Sequence, residues 1–132
     1  MIRAYEPNDY DTISEWVAER ELPLLPTAML PSNGVVYFDE NRVASAAAWV
    51  YLDMQAGVGF PHWMVSRKGM SLAQSRVAVA EILGALKQIA TINNVHTLIA
   101  TVHEEGIARE CLNQFGWHYI GQGATLFLPC PS

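Results

Sequence analysis

VGFPHWMVSRKGMSLAQSRVAVAEILGALKQIATINNVHTLIATV, residues 58–102, changes its periodicity twice, and those changes decide the fold. Val58–Ser66 is short, rich in β-branched and aromatic side chains, and bounded by Gly57 and the polar run Arg67-Lys68-Gly69, as suits a strand between turns. Over residues 71–93, Leu72, Val79, Ile82, Leu83, Leu86, Ile89 and Ala90 recur at the spacing of one helical face. Asn93-Asn94 stops the helix, because Asn tolerates left-handed backbone at a helix end. Residues 96–102, HTLIATV, read as a second strand. Two strands joined by one long helix pair in parallel, through a right-handed crossover. The loop after Ser66 then lies at a strand's carboxyl end and a helix's amino end. Backbone N–H groups there lack partners and the helix dipole is positive, so an anion can dock.

Composition bounds the rest. The chain has 132 residues, the size of a single domain with one core, expected over residues 1–132. Hydrophobic residues make up 51% and charged residues 16%, which places it among globular chains. A formal charge of −5 argues against a nucleic-acid partner, since phosphate backbones require a basic footprint. Yet Arg67, Lys68 and Arg76, three of the eight basic residues, cluster at the loop described above. Cys111 and Cys130 fit no metal spacing, and Cys111 falls on a predicted apolar helix face, where a buried thiol is usual. The N-terminus carries Arg3, Glu6 and Asp9 in place of an apolar run, so no signal peptide is expected. The uncharged residues 43–52 are too few to span a bilayer. The expected location is the cytoplasm, without a membrane partner.

Along the chain, residues 1–5 read as a first strand. Pro7-Asn8-Asp9 starts a helix, and Tyr10, Ile13, Trp16 and Val17 give it an apolar face to about Glu21. Pro23, Pro26 and Pro31 make residues 22–33 an extended loop, too apolar to be left in water. Residues 34–38 and 42–53 form a hairpin around Asp39-Glu40-Asn41. Small residues 44–48 leave room for bulky neighbours on both faces. After Val102, His103-Glu104-Glu105 suits a helix start, Ile107, Ala108, Cys111, Leu112 and Phe115 form its apolar stripe, and Gly116 caps it. Residues 117–121 and 125–128 close the chain as a strand pair. The order β-α-loop-β-β-β-α-β-α-β-β predicts an α/β (α+β) architecture, a mixed sheet with helices on its faces.

That order, over nearly the whole chain, resembles the GNAT superfamily of acyl-CoA-dependent N-acyltransferases. Arg3 with Pro7, Asp9 and Tyr10 is similar to the opening of many members, Val43-Ala44-Ser45-Ala46 to a strand that usually reads "vvG", and Gly116-Trp117 to the "G-F" after the last helix. Trp16, the Leu-Pro pairs before Gly34, and Val65-Ser66 before a polar loop resemble small GNAT-like proteins encoded by bacteriophages. The resemblance implies a mostly antiparallel mixed sheet around the central parallel unit, with acetyl-CoA as cofactor. Its pantetheine arm would lie between the two splayed parallel strands, and its diphosphate on the loop before the long helix. Val65, Ser66, Arg67, Lys68, Gly69, Ser71, Gln74 and Arg76 are the implied binding residues. The family loop Q/R-x-x-G-x-G/A places Gln74 at its first position but Val77 and Val79 at the glycines, where a Cβ crowds a phosphate. The phosphates would then dock one turn earlier, on residues 68–71. The family's Asn after the fifth strand falls on Glu105, and its acid tyrosine on Leu112, which has no proton to donate.

Acyl transfer to an amine needs a base, a backbone N–H to polarise the thioester carbonyl, and an acid for the sulfur. His62, beside Pro61 where a bulge would aim it into a cleft, His103 with Glu104, and Asp53 are candidate bases; Tyr119 is the candidate acid. Each has a plainer reading: His62 as a hydrogen-bonded, half-buried imidazole, the glutamates as helix-start charges, Tyr119 as an ordinary strand residue. His62, His96, His103 and His118 are scattered, so no metal site is expected. Two functions follow. One is an N-acetyltransferase acting on an unknown amine; the other is an inactive scaffold that binds a host or phage protein through residues 22–30 and its tryptophans.

Overall fold

The computed structural model describes residues 1–23, 25–100 and 116–118. The chain divides into two units, Met1–Ala100 and Thr101–Ser132, and every described helix and strand belongs to the first. These elements run β1 (Ile2–Ala4), α1 (Tyr10–Glu19), β2 (Gly34–Phe38), β3 (Ala44–Asp53), β4 (Val58–Ser66), α2 (Leu72–Ile92) and β5 (Thr97–Leu98), with 3-10 turns at Pro7–Asp9 and Thr27–Met29. They follow the predicted order. The five strands lie in sequence order, antiparallel from β1 to β4, with β5 parallel to β4. This is the mixed, mostly antiparallel sheet of the GNAT fold.

Period-two alternation along β2 and β3 sends neighbouring residues to opposite faces and so builds two cores. On one face Val35, Tyr37, Ala46, Ala48 and Val50 pack against Ala78, Ile82 and Leu86 of α2. On the other, Val36, Ala47 and Trp49 pack against Ile13, Trp16 and Val17 of α1 and Leu25 of the following loop. The alanine run of β3 has the predicted role: small side chains let both helices approach the sheet. Trp49 takes the freed space on the α1 face. It lies so close over Gly34 that a Cβ there would sit 2.4 Å from the indole Cδ1. Burying side chains such as Ile82 and Leu86 contributes about 1.5–3 kcal/mol each.

The ends of the elements have local causes. α1 ends at Glu19, two residues before the predicted end, and Glu21, at φ 56°, turns the chain away from it. Asn94, at φ 59°, closes α2 in the left-handed conformation expected of it. In the β2–β3 hairpin the Asp39 carboxylate accepts the N–H groups of Asn41 (2.8 Å) and Val43 (3.0 Å), and Arg42 takes φ 60°. Residues 22–33 form a strap rather than a free loop. Leu25 is buried, the Tyr10 hydroxyl donates to the Leu25 carbonyl, and the Val50 N–H donates to the Asn33 carbonyl at 2.9 Å. The expected loop without regular structure does hold one helical turn, Thr27–Met29, between its prolines. Gly116, expected to cap a helix, adopts φ 74°. The helix and strands predicted around it lie outside the described residues.

Candidate functional site

The site is built on the parting of β4 and β5. Val58 pairs with Thr97 and Gly59 with Leu98, and the last ladder bond runs from the Ile99 N–H to the Gly59 carbonyl at 2.8 Å. A parallel ladder uses the backbone groups of every second residue on one edge. After Gly59, the next residue on the β5 side is Pro61, which has no N–H to give the Ile99 carbonyl. The ladder therefore stops there, and Phe60–Ser66 continues along β3 without a β5 partner among the described residues. Of the predicted strand 96–102 only Thr97–Leu98 is laddered, and residues 101 and 102 lie outside the described ones.

Next to the gap, β4 carries a bulge. Ala47 faces Val65 and Trp49 faces His62, so β4 holds one residue more than β3 between these pairs. Trp63 absorbs it at φ 59°, a conformation that costs a bulky side chain about 1–3 kcal/mol. The indole Nε1–H donates to the Tyr51 hydroxyl at 2.9 Å, and that hydroxyl donates to the Met29 carbonyl of the strap. His62 is half-buried, 4.6 Å from the Trp63 ring and 6.0 Å from Tyr51, centroid to centroid. The bulge beside Pro61 is thus present, and His62 sits in an aromatic cluster on it.

The loop after Ser66 is more committed to the fold than its charge suggests. The Arg67 guanidinium turns inward: Nε donates to Ser45 Oγ at 3.1 Å, and Nη2 meets Asp39 Oδ2 at 3.3 Å. The Val43 N–H first, then the Asn41 N–H and Arg67, hold the Asp39 carboxyl below the ordinary range against the opposing effect of desolvation. Arg20, at the end of α1, donates to the Ser66 carbonyl (2.9 Å) and hydroxyl (3.0 Å) and to the Arg67 carbonyl (3.3 Å). Ser71 caps α2. Its hydroxyl accepts the Gln74 N–H at 3.1 Å, and the Gln74 side chain accepts the Ser71 N–H at 2.9 Å. Arg67 and Gln74 therefore hold the protein to itself.

What remains for an anion is the exposed Lys68 ammonium, which has no ion pair among the described residues, Gly69 at φ 87°, and the Leu72 and Ala73 N–H groups. These amides precede the first N–H of α2 that finds a helical carbonyl, Ser75, whose acceptor is Ser71. Arg76 lies on an exposed face one turn further on. Val77 is 51% exposed and Val79 half-buried. Val65 packs against the α1-side core, and Ser66 is paired with Ala46 in the β3–β4 ladder. The backbone edge of β4, Lys68 and the first turn of α2 fit a thioester carrier with a diphosphate. The candidates His103, Glu104, Glu105, Leu112 and Tyr119 lie outside the described residues. Among the described residues no group of three His, Cys, Asp or Glu could hold a metal, and no helix is long and apolar enough to cross a membrane.

Sequence reasoning missed Arg20, Asp39, Ser45 and Tyr51. Asp39 signalled only a turn and Arg20 only a polar helix end. Their partners are distant in sequence, and no local pattern records them.

No protein-family model matches the chain, and no curated protein is similar to it in sequence. Solved structures are similar in fold. An acetyltransferase from Trypanosoma brucei superposes with a TM-score of 0.68 at 14% identity, over 97% of this chain and 99% of that one. A putative acetyltransferase from Agrobacterium tumefaciens gives 0.64 at 17% identity, over 97% and 99%. N-acetylglutamate synthase from Neisseria gonorrhoeae, complexed with coenzyme A and N-acetyl-glutamate, gives 0.64 at 15% identity over 83% of this chain, which spans 26% of the synthase.

Proposed function

We propose that the chain is a divergent member of the GNAT superfamily, a single cytoplasmic domain over residues 1–132, that binds acetyl-CoA between β4 and β5 and serves as an N-acetyltransferase. One observation carries the reading: the β4–β5 ladder ends after Gly59 beside a bulged strand. The fold shared with an acetyltransferase and with an N-acetylglutamate synthase complexed with coenzyme A supports it. The carrier, when bound, supplies an activated acyl thioester. The free edge of β4 aligns its arm through backbone groups. Lys68 and the Leu72 and Ala73 N–H groups, with Arg76 on the next turn, take the diphosphate by charge and helix dipole. A backbone N–H of the bulge polarises the thioester carbonyl, and His62 receives the proton of the attacking amine. His103 and Tyr119 remain the further candidates for base and acid.

Calorimetric titration of the purified chain with acetyl-CoA tests this reading. We expect a saturable heat and a rise in melting temperature. A hundredfold excess over Kd stabilises the folded state by about 2.7 kcal/mol. Neither heat nor shift at millimolar ligand ends it.

The engagement of Arg67 and Gln74 favours a second reading, a scaffold without catalysis that binds a host or phage protein through the strap, where Leu22 and Met29 are exposed. Under it the titration is flat, and a partner recovered from host lysate is lost on Leu22→Ser with Met29→Ser. Acetyl-CoA turnover with no such partner counts against it.

A further inference from the structure

We propose that Tyr51 is a positioning residue that couples the strap to the β4 bulge; the proposal rests on the transferase reading only for its catalytic consequence. Its hydroxyl has one proton and one partner to spare, and both are used. It accepts from Trp63 Nε1–H at 2.9 Å and donates to the Met29 carbonyl. A phenol so engaged offers no proton to a leaving group, so its role is to hold other groups in place. What it holds is the costly part of β4. Trp63 is the residue in left-handed backbone, and this hydroxyl links its indole by hydrogen bonds to the strap.

The other end of the relay is itself a short structured turn. The Met29 N–H donates to the Pro26 carbonyl at 3.0 Å and the Leu30 N–H to the Thr27 carbonyl at 3.2 Å. Moving this turn withdraws the Met29 carbonyl, turns the Tyr51 hydroxyl, and releases the indole that braces the bulge. His62 moves with them, since its ring lies against both Trp63 and Tyr51. A molecule seated against the strap thereby sets the geometry of the strand along which the thioester would lie.

The coupling is read in the free protein by amide hydrogen exchange. In Tyr51→Phe, the Met29 and Leu30 amides and those of His62 to Val65 should exchange faster together, by about fivefold, the worth of one net hydrogen bond. Acceleration of the strap alone, or of neither segment, overturns the proposal. Trp63→Phe serves as the second variant, also if the first does not fold. It removes the donor at the far end and keeps an aromatic ring in the α1-side core, so the coupling through Tyr51 should show as faster exchange at Met29 and Leu30, and unchanged exchange there overturns it. In turnover of acetyl-CoA, Tyr51→Phe should lower kcat about tenfold while KM for the thioester stays within twofold, whereas a merely structural role moves neither selectively. A flat acetyl-CoA titration would remove the transferase reading and leave the exchange result standing.

Discussion

A single missing hydrogen sets where β4 and β5 part. Replacing Pro61 with Ala restores an N–H opposite the Ile99 carbonyl and lets the ladder run on. We expect P61A to unfold at higher urea, by about 1 kcal/mol for one net hydrogen bond, and to bind acetyl-CoA at least tenfold more weakly as the gap narrows. Equilibrium melts and calorimetry measure both. Unchanged affinity in a stabilised variant would mean that the gap does not depend on the proline. The sequence displays Pro61 plainly, and a bulge next to it was a fair expectation. That Trp63, and not a glycine, occupies the left-handed position was not legible. The indole stays there because Tyr51, on another strand, holds it.

At the level of elements, the join between β4 and α2 separates residues that stabilise from residues that bind. Ser71→Ala removes the cap of α2 and should cost about 1 kcal/mol, and Gln74→Ala somewhat less, while acetyl-CoA affinity changes little. Lys68→Ala should do the reverse, leaving stability within about 0.5 kcal/mol and weakening binding several-fold, more so at low salt. Urea melts beside titrations at two ionic strengths sort the three. If Gln74→Ala weakens binding as much as Lys68→Ala, the cap opens on binding and the amide takes the diphosphate. The sequence grouped Arg67 with Lys68 because charge clustering is a local signal. It could not weigh the competing demand of Asp39 and Ser45, which folding brings against the same guanidinium. Helix and strand periods, by contrast, report the burial of a face, and the hairpin and the strand-helix-strand unit were legible for that reason.

For the whole molecule, two carboxylates, Asp9 and Asp39, hold arginines, and two phenols, buried Tyr37 and half-buried Tyr5, lie in the fold; together they fix the pH range of stability. Desolvation raises the Asp9 carboxyl, but the Arg3 hydrogen bond at 2.7 Å, the Glu6 N–H and the Arg3 charge bring it below the ordinary range. Asp39 is lowered by its backbone donors and Arg67. For both, the folded pKa lies below the unfolded one. Their contribution is therefore complete above the unfolded value, near pH ~4, and is lost as pH falls through the folded values. Burial raises Tyr5 and Tyr37. Here the folded pKa lies above the unfolded one, so stability is complete below pH ~10 and lost as pH rises through the folded values. Urea unfolding measured across pH should give a plateau from about pH 5 to 9 with a fall on each side. Asp39→Asn should lower the plateau, since Arg67 keeps only a neutral partner there, and should make the acid limb shallower. An acid limb as steep in Asp39→Asn as in the native chain would place the acid sensitivity elsewhere and leave the Asp39–Arg67 pair without a part in it.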